Sequence, residues 1–318
     1  MKNICKDSKK CKTVVKIMVS SFLVFLLIVN VDWQEVWGYI SNANLYLIVL
    51  YILFYLLGLM ISARKWQILA QFKDFKQTYS FYLKTYLLGT FLNNFFPSFV
   101  GGDTYRAYAL GKPVKRIEES STTIVADRIS GLVGVMILAI LFALLNFEML
   151  KDEYIIVSII LTLIVVTSSF LVVMIFFQKR FIQYFIGLLP QVIENYINKV
   201  FLFRTKDIAM KTLTYSFFFA FVGIAVSNFI LFLSIGAQLS MIDFMSVIFL
   251  SSIISAAPIS IGNIGVKEWA YVFLFGIFGV SASVAVTVVL LSRVLQMLVS
   301  FVAIPFYLEN KKKLTEVS

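Results

Sequence analysis

Apolar runs of about 18 or more residues recur along the whole chain, each long enough to cross a bilayer as a helix. The composition follows from them. Of 318 residues 60% are hydrophobic and 14% charged, against about half and about a quarter in a soluble domain. No polar block between the runs is long enough for a soluble catalytic domain. The chain reads as all-α: a polytopic integral membrane helical bundle of about eight apolar segments, with residues 1–318 as a single transmembrane domain. The first run, 14–31, follows a lysine-rich tail. It is succeeded by Asp32-Trp33-Gln34-Glu35 and not by a small-residue cleavage site, which marks a retained helix rather than a signal peptide.

Several function classes drop out at once. There is no histidine, which removes Ser-His and Cys-His catalysis and most zinc and haem sites. Cys5 and Cys11 lie in the basic tail and read as free, reduced thiols, so no metal and no cofactor is expected. The net charge of +11 sits in loops beside apolar spans, where it orients the chain and favours anionic lipid, so nucleic acid is not an expected partner. Gly111-Lys112 lacks the earlier glycine of a nucleotide-binding loop, because position 106 is Arg106.

Lysine and arginine gather on the cytoplasmic side of spans. Lys2, Lys6, Lys9, Lys10, Lys12 and Lys16 place the N-terminus there, so 14–31 runs outward to a loop with Asp32, Glu35 and the interfacial aromatics Trp33, Trp37 and Tyr39. Span 44–63 returns to Arg64, Lys65, Lys73 and Lys76. Segment 79–96 stops at Pro97, and Arg106, Lys112, Lys115 and Arg116 follow, so both flanks of 79–112 read as cytoplasmic and the unit as a re-entrant hairpin. Span 120–146 leads out to an acidic loop, 154–177 leads back, and 178–211 reads as a cytoplasmic interfacial segment interrupted near Pro190. Span 212–234 leads out again, a second broken unit at 243–279 starts and ends outside, and 283–308 returns to Lys311, Lys312 and Lys313. Residues 14–146 and 154–308 thus form pseudo-repeat halves of opposite orientation, an inverted repeat whose two hairpin tips are expected together near the midplane. Both termini are expected in the cytoplasm, with the protein in the cell (plasma) membrane.

The two breaks organise the rest. Pro97 lacks a backbone donor, and Gly101 and Gly102 relax the backbone; Pro258, Gly262 and Gly265 repeat the arrangement. An interrupted helix inside hydrocarbon leaves unpaired amides, which survive where the break lines a polar cavity or is packed in protein. Polar side chains surround both breaks: Asn93, Asn94, Ser98, Asp103 and Arg106 at the first, Lys267 and Glu268 at the second. Asp127 and Arg128 lie about two turns into the next long span, ahead of Gly131 and Gly134, and Arg293 lies about ten residues into the last one. An ionised side chain at the bilayer centre costs about 2.5–3.5 kcal/mol, so such residues pair, face the interior or serve a ligand. Asp103 and Arg106, three apart, share a helix face. Two readings follow: ion pairs that only fix packing, or a pocket for an anionic headgroup, for which arginine's planar fork suits phosphate. Lys84, early in its segment, snorkels to the inner surface.

Three motifs carry a resemblance: Asn93-Asn94-Phe95-Phe96-Pro97-Ser98-Phe99-Val100-Gly101-Gly102-Asp103-Thr104-Tyr105-Arg106, then Asp127-Arg128-Ile129-Ser130-Gly131, then Pro258-Ile259-Ser260-Ile261-Gly262-Asn263-Ile264-Gly265-Val266-Lys267-Glu268, with Arg293 beyond. Together they resemble the flippase-like integral membrane family that includes the membrane part of lysylphosphatidylglycerol synthase (multiple peptide resistance factor), over nearly the whole chain. The resemblance implies movement between leaflets of a polar-headed lipid, of aminoacyl-phosphatidylglycerol or polyprenyl-phosphate type. Asn93, Asn94, Asp103, Arg106, Asp127, Arg128, Lys267, Glu268 and Arg293 are the headgroup candidates, and no residue is assigned a catalytic role. The chain ends at Ser318, directly after its last span, so a lysyltransferase activity is not expected of it alone. The rival readings are a lipid-modifying enzyme or subunit, and an accessory partner of a glycosyltransferase. A separate synthase or glycosyltransferase is the expected protein partner, and anionic phospholipid or polyprenyl-phosphate lipid the expected ligand. Asn263 stands where a further glycine is usual, which stiffens the second turn.

Overall fold

The computed structural model describes residues 8–95, 100–147, 206–256 and 259–306. Every described element is a helix. α1 (Ser8–Asn30) and α2 (Trp33–Ser41) meet at an 84° bend. What the sequence suggested as a loop after the first span is therefore a short helix. Asp32 nucleates it, its carboxylate accepting from Gln34 N and Glu35 N, and Trp37 stays largely exposed on it. α3 (Leu45–Phe72) starts at the Asn44 cap in the same way. α4 (Tyr79–Phe95) and α5 (Val100–Gly111) make the first hairpin, and α6 (Ile117–Leu145) follows. α7 (Lys206–Phe218) continues through a π-helical stretch (Phe219–Val226) into α8 (Ser227–Ser234). α9 (Met241–Ala256) and α10 (Val266–Ile277) make the second hairpin, and α11 (Ala282–Ser300) closes the described chain.

Four helical stretches are long and apolar enough to cross a membrane: Leu45–Phe72, Ile117–Leu145, Asp207–Ser234 and Ala282–Phe306. A fifth arises if the bent pair α1 and α2 counts as one span. The structure is that of a polytopic helical membrane protein. Two boundaries move. The second span extends nine residues beyond the expected end at 63, carrying Lys65 inside, and residues 206–211 belong to a span rather than to an interfacial segment. The remainder of that segment and the span expected at 154–177 lie outside the described residues.

The hairpins turn back from opposite ends of the bundle. Arg116, just after the first hairpin, donates to the Lys73 carbonyl just before it at 3.0 Å, so α4 begins and α5 finishes at the same end. At the far end of α6, Ser246 of α9 donates to the Phe142 carbonyl at 2.8 Å, and Asn146 donates to the Ser246 hydroxyl at 2.7 Å. Ala143 there packs on Ile277 and Phe278, where α10 finishes. Neither arm of the first hairpin, at 17 and 12 residues, spans a bilayer by itself.

Packing without a water-driven force between helices relies on small residues and close contact. Gly58 of α3 meets Gly223 of the π-helical stretch so closely that a Cβ on Gly58 would lie 2.5 Å from the Gly223 Cα. Gly134 of α6 receives Ser216 of α7, where a Cβ would lie 2.9 Å from the serine Cβ. The main core gathers Phe232, Phe244 and Phe275, each fully buried and in mutual ring contact, around the second hairpin.

Candidate functional site

At the first break, tight helix approach comes before chemistry. Gly102 faces Gly89, and a Cβ at 102 would overlap the Gly89 carbonyl oxygen. Asn93 Oδ1 accepts from Gly102 N at 2.9 Å, which caps one otherwise orphaned amide of α5. Gly101 and Gly102 therefore lie within the first turn of α5, neither in the left-handed region, and Gly102 serves packing. Residues 96–99, Pro97 and Ser98 among them, lie outside the described residues, as does the side chain of Asn94.

Onto this scaffold α3, α5 and α6 bring an ion network. Asp127 is 2% exposed and binds Lys65 Nζ at 3.1 Å and Arg106 Nη2 at 2.8 Å; both cations are 3% exposed. Lys65 also donates to the Asp127 carbonyl at 2.8 Å, and Gly131 leaves room for its ammonium. Arg106 reaches Asp103 at 3.3 Å, as the three-residue spacing suggested, and its guanidinium lies between Trp66 and Tyr86 at 4.3 and 4.2 Å. Arg128 grips Asp103 with two donors at 2.9 and 3.1 Å, with its side chain 51% exposed. Three cations face two carboxylates. Lys84, outside this network, stands over the Phe306 ring.

The second break is described except for Ala257 and Pro258, which lie outside the described residues. Gly262, Asn263 and Gly265 take φ of 58°, 57° and 87°, all left-handed. Asparagine tolerates that region better than other non-glycine residues, so Asn263 is compatible with the turn. Its side-chain amide donates back to the Ser255 carbonyl. Arg293 fastens the whole turn, donating to Glu268 Oε1 at 2.7 Å, to the Gly262 carbonyl at 3.2 Å and to the Asn263 carbonyl at 2.9 Å. Glu268 in turn accepts from Gly265 N at 2.7 Å. The fork proposed for phosphate is thus directed at the protein's own backbone. Lys267 differs. Among the described residues its ammonium has no carboxylate at ion-pair distance, only the Ser292 hydroxyl at 3.5 Å and the Tyr271 ring at 5.5 Å. Several buried oxygens on this hairpin, those of Ser251, Ser255, Ser260 and the Asn263 amide, have no hydrogen-bond partner among the described residues.

The predicted residues therefore gather as two clusters, not one. Asn93, Asp103, Arg106, Asp127 and Arg128 form the first; Lys267, Glu268 and Arg293 form the second. No described ion pair or hydrogen bond joins them. An internal echo relates them: Arg128 meets Asp103 and Arg293 meets Glu268, each across 25 residues, each acid in the first turns of the helix after a break. Sequence reasoning missed Lys65, Trp66 and Tyr86. For Lys65 a signal existed, because Leu59, Ala63, Trp66 and Ala70 continue one apolar face past Arg64-Lys65, so the helix does not end there.

Membrane-spanning helices, two helical hairpins entering from opposite ends and an acid–arginine latch behind each define a class of polytopic helical membrane protein. The chain belongs to the family described as Lysylphosphatidylglycerol synthase TM region, which it matches over residues 13–304. It is also similar to a UPF0104 membrane protein of Pyrococcus horikoshii, 24% identical over 306 aligned positions that cover 88% of this chain and 91% of the relative. No solved structure matches the chain.

Proposed function

We propose that the protein binds a polar-headed, phosphate-bearing membrane lipid, of aminoacyl-phosphatidylglycerol or polyprenyl-phosphate type, and carries its headgroup between leaflets of the cell membrane. One observation carries this reading. Lys267 holds a charge within a membrane bundle with no carboxylate among the described residues to balance it, beside a latch whose own charges are matched. A half-buried cation of that kind inside a membrane bundle is costly, and an anionic group beside it offsets that cost. Arg128, half exposed above the first network and contributing its surplus charge, is the second contact point. Arg293, Glu268, Arg106 and Asp127 are positioning residues in this scheme: they hold the breaks open and the cations in place. The family match supports the lipid assignment, since the family's description concerns a lipid synthase's membrane region.

The test is reconstitution in vesicles containing tail-labelled fluorescent phosphatidylglycerol, or a labelled polyprenyl phosphate in a parallel arm, with a membrane-impermeant quencher reporting the outer leaflet. Wild type is expected to expose inner-leaflet probe. Lys267→Met, which preserves side-chain length, is expected to slow it by about tenfold, the loss of a little over 1 kcal/mol from one charge-assisted contact. Flux equal to protein-free vesicles in both arms refutes the proposal.

A further inference from the structure

No described hydrogen bond or ion pair joins the two clusters, and α3 touches the neighbourhood of both. Tyr51, Tyr55, Ser62 and Lys65, spaced by four, seven and three, fall on one face of α3. From Tyr51 to Lys65 that face rises about 21 Å, most of a hydrocarbon core of about 30 Å. At one end the Tyr51 hydroxyl, fully buried, reaches the Ser292 carbonyl at 3.5 Å and accepts from Gln296 Nε2 at 3.1 Å, and Ser292 is the partner of Lys267. Tyr55 stacks on Tyr51, with ring centroids 6.1 Å apart. Tyr55 and Tyr86 pack on the same cluster of Leu59, Leu87, Leu88 and Ala303. Tyr86 then carries the Arg106 guanidinium on its ring at 4.2 Å. Ser62 lies buried on the same face of α3.

Apolar side chains would pack along this face without the desolvation cost that a file of hydroxyls carries, a cost that the Tyr51–Gln296 and Tyr51–Ser292 hydrogen bonds offset in part. Two features set its state. The file is continuous in side chains from Lys267 to Arg106, and it is pinched where Gly58, on the same face, touches Gly223 of the π-helical stretch. Such stretches recur at functional positions in helices.

Resting on the lipid-carrying reading above, we propose that Tyr51, Gln296, Tyr55, Ser62 and Tyr86 are positioning residues that hand a phosphate-bearing headgroup along α3 between Lys267 and the Arg106–Arg128 network, with the Gly58–Gly223 contact as the closure between the two seats. The hydroxyls and the glutamine amide replace, one after another, the water that the headgroup loses.

The variant Tyr51→Phe with Gln296→Met tests this in the vesicle assay with labelled phosphatidylglycerol. It removes both partners of a buried hydrogen bond and keeps their shape, which leaves folding nearly unchanged. The expected result is flux lowered about tenfold or more, with an unaltered elution profile and melting temperature and with phosphatidylglycerol still retained by native mass spectrometry. Ser62→Ala, which deletes one buried hydroxyl and little volume, is expected to slow flux in the same direction and serves if the double variant fails to fold. Wild-type flux in both variants overturns the file while leaving the lipid-carrying reading standing. A wild type that retains lipid but moves none overturns both.

Discussion

Asp127 is the carboxylate on which two buried cations depend. Removing one partner of a buried ion pair leaves an uncompensated charge and costs about 3–5 kcal/mol. Asp127→Asn is expected to destabilise by that order, read as a lower melting temperature in detergent and a lower membrane yield. Adding Lys65→Met is expected to recover part of the loss, since the charge count falls with the carboxylate; no recovery would mean that Lys65 draws its stability elsewhere. At this scale the sequence was half legible. Asp103 and Arg106 announced themselves by spacing, and Arg293 by its depth. The role of Arg293 was not legible, because a fork that suits phosphate suits two carbonyls and a carboxylate equally well, and only the folded turn decides between them. Lys65 was hidden by the habit of ending a span at the first charged pair, and the Trp66–Arg106–Tyr86 stack by the fact that three separate helices build it.

The helical hairpin is the unit where breaks and glycines act together. Gly102 permits α5 to lie directly on α4, and Gly265 combines a left-handed backbone with Leu23 of α1 pressed against it, 2.6 Å from where a Cβ would stand. Trp269, one turn on, donates to the Leu23 carbonyl at 3.0 Å and fixes α1 in that position. Gly102→Ala is expected to cost about 1–3 kcal/mol by overpacking. Gly265→Ala is expected to cost more, since backbone strain of about 1–3 kcal/mol adds to the overlap. Thermal unfolding in one detergent ranks the two, and equal costs would remove the strain argument. The breaks themselves were legible from Pro97, Pro258 and the polar residues beside them. The exact function of each glycine was not: Gly101 and Gly102 read as hinges but lie in a helix, while Gly262 and Gly265 do turn the chain. The π-helical stretch gave no sequence sign, because FAFVGIAV has the composition of any apolar span.

For the whole molecule, hydropathy and charge asymmetry carried the architecture far. They gave an all-helical membrane bundle and two hairpins turning back from opposite faces, because span length and lysine placement are set by the bilayer and not by packing detail. Which face is cytoplasmic remains a charge-based expectation, and labelling tests it. In a Cys5→Ser, Cys11→Ser background, Lys115→Cys is expected to react with an impermeant maleimide only after the membrane is opened, and Val280→Cys in intact cells. Reaction of both from the same side would break the opposed-hairpin arrangement.

The acid-to-arginine latch occurs twice, at the same interval, behind hairpins that face opposite ways. If the protein carries lipid as proposed, a latch repeated in both orientations gives the direction to the gradient, so inverting the cargo gradient across otherwise identical vesicles should invert the flow.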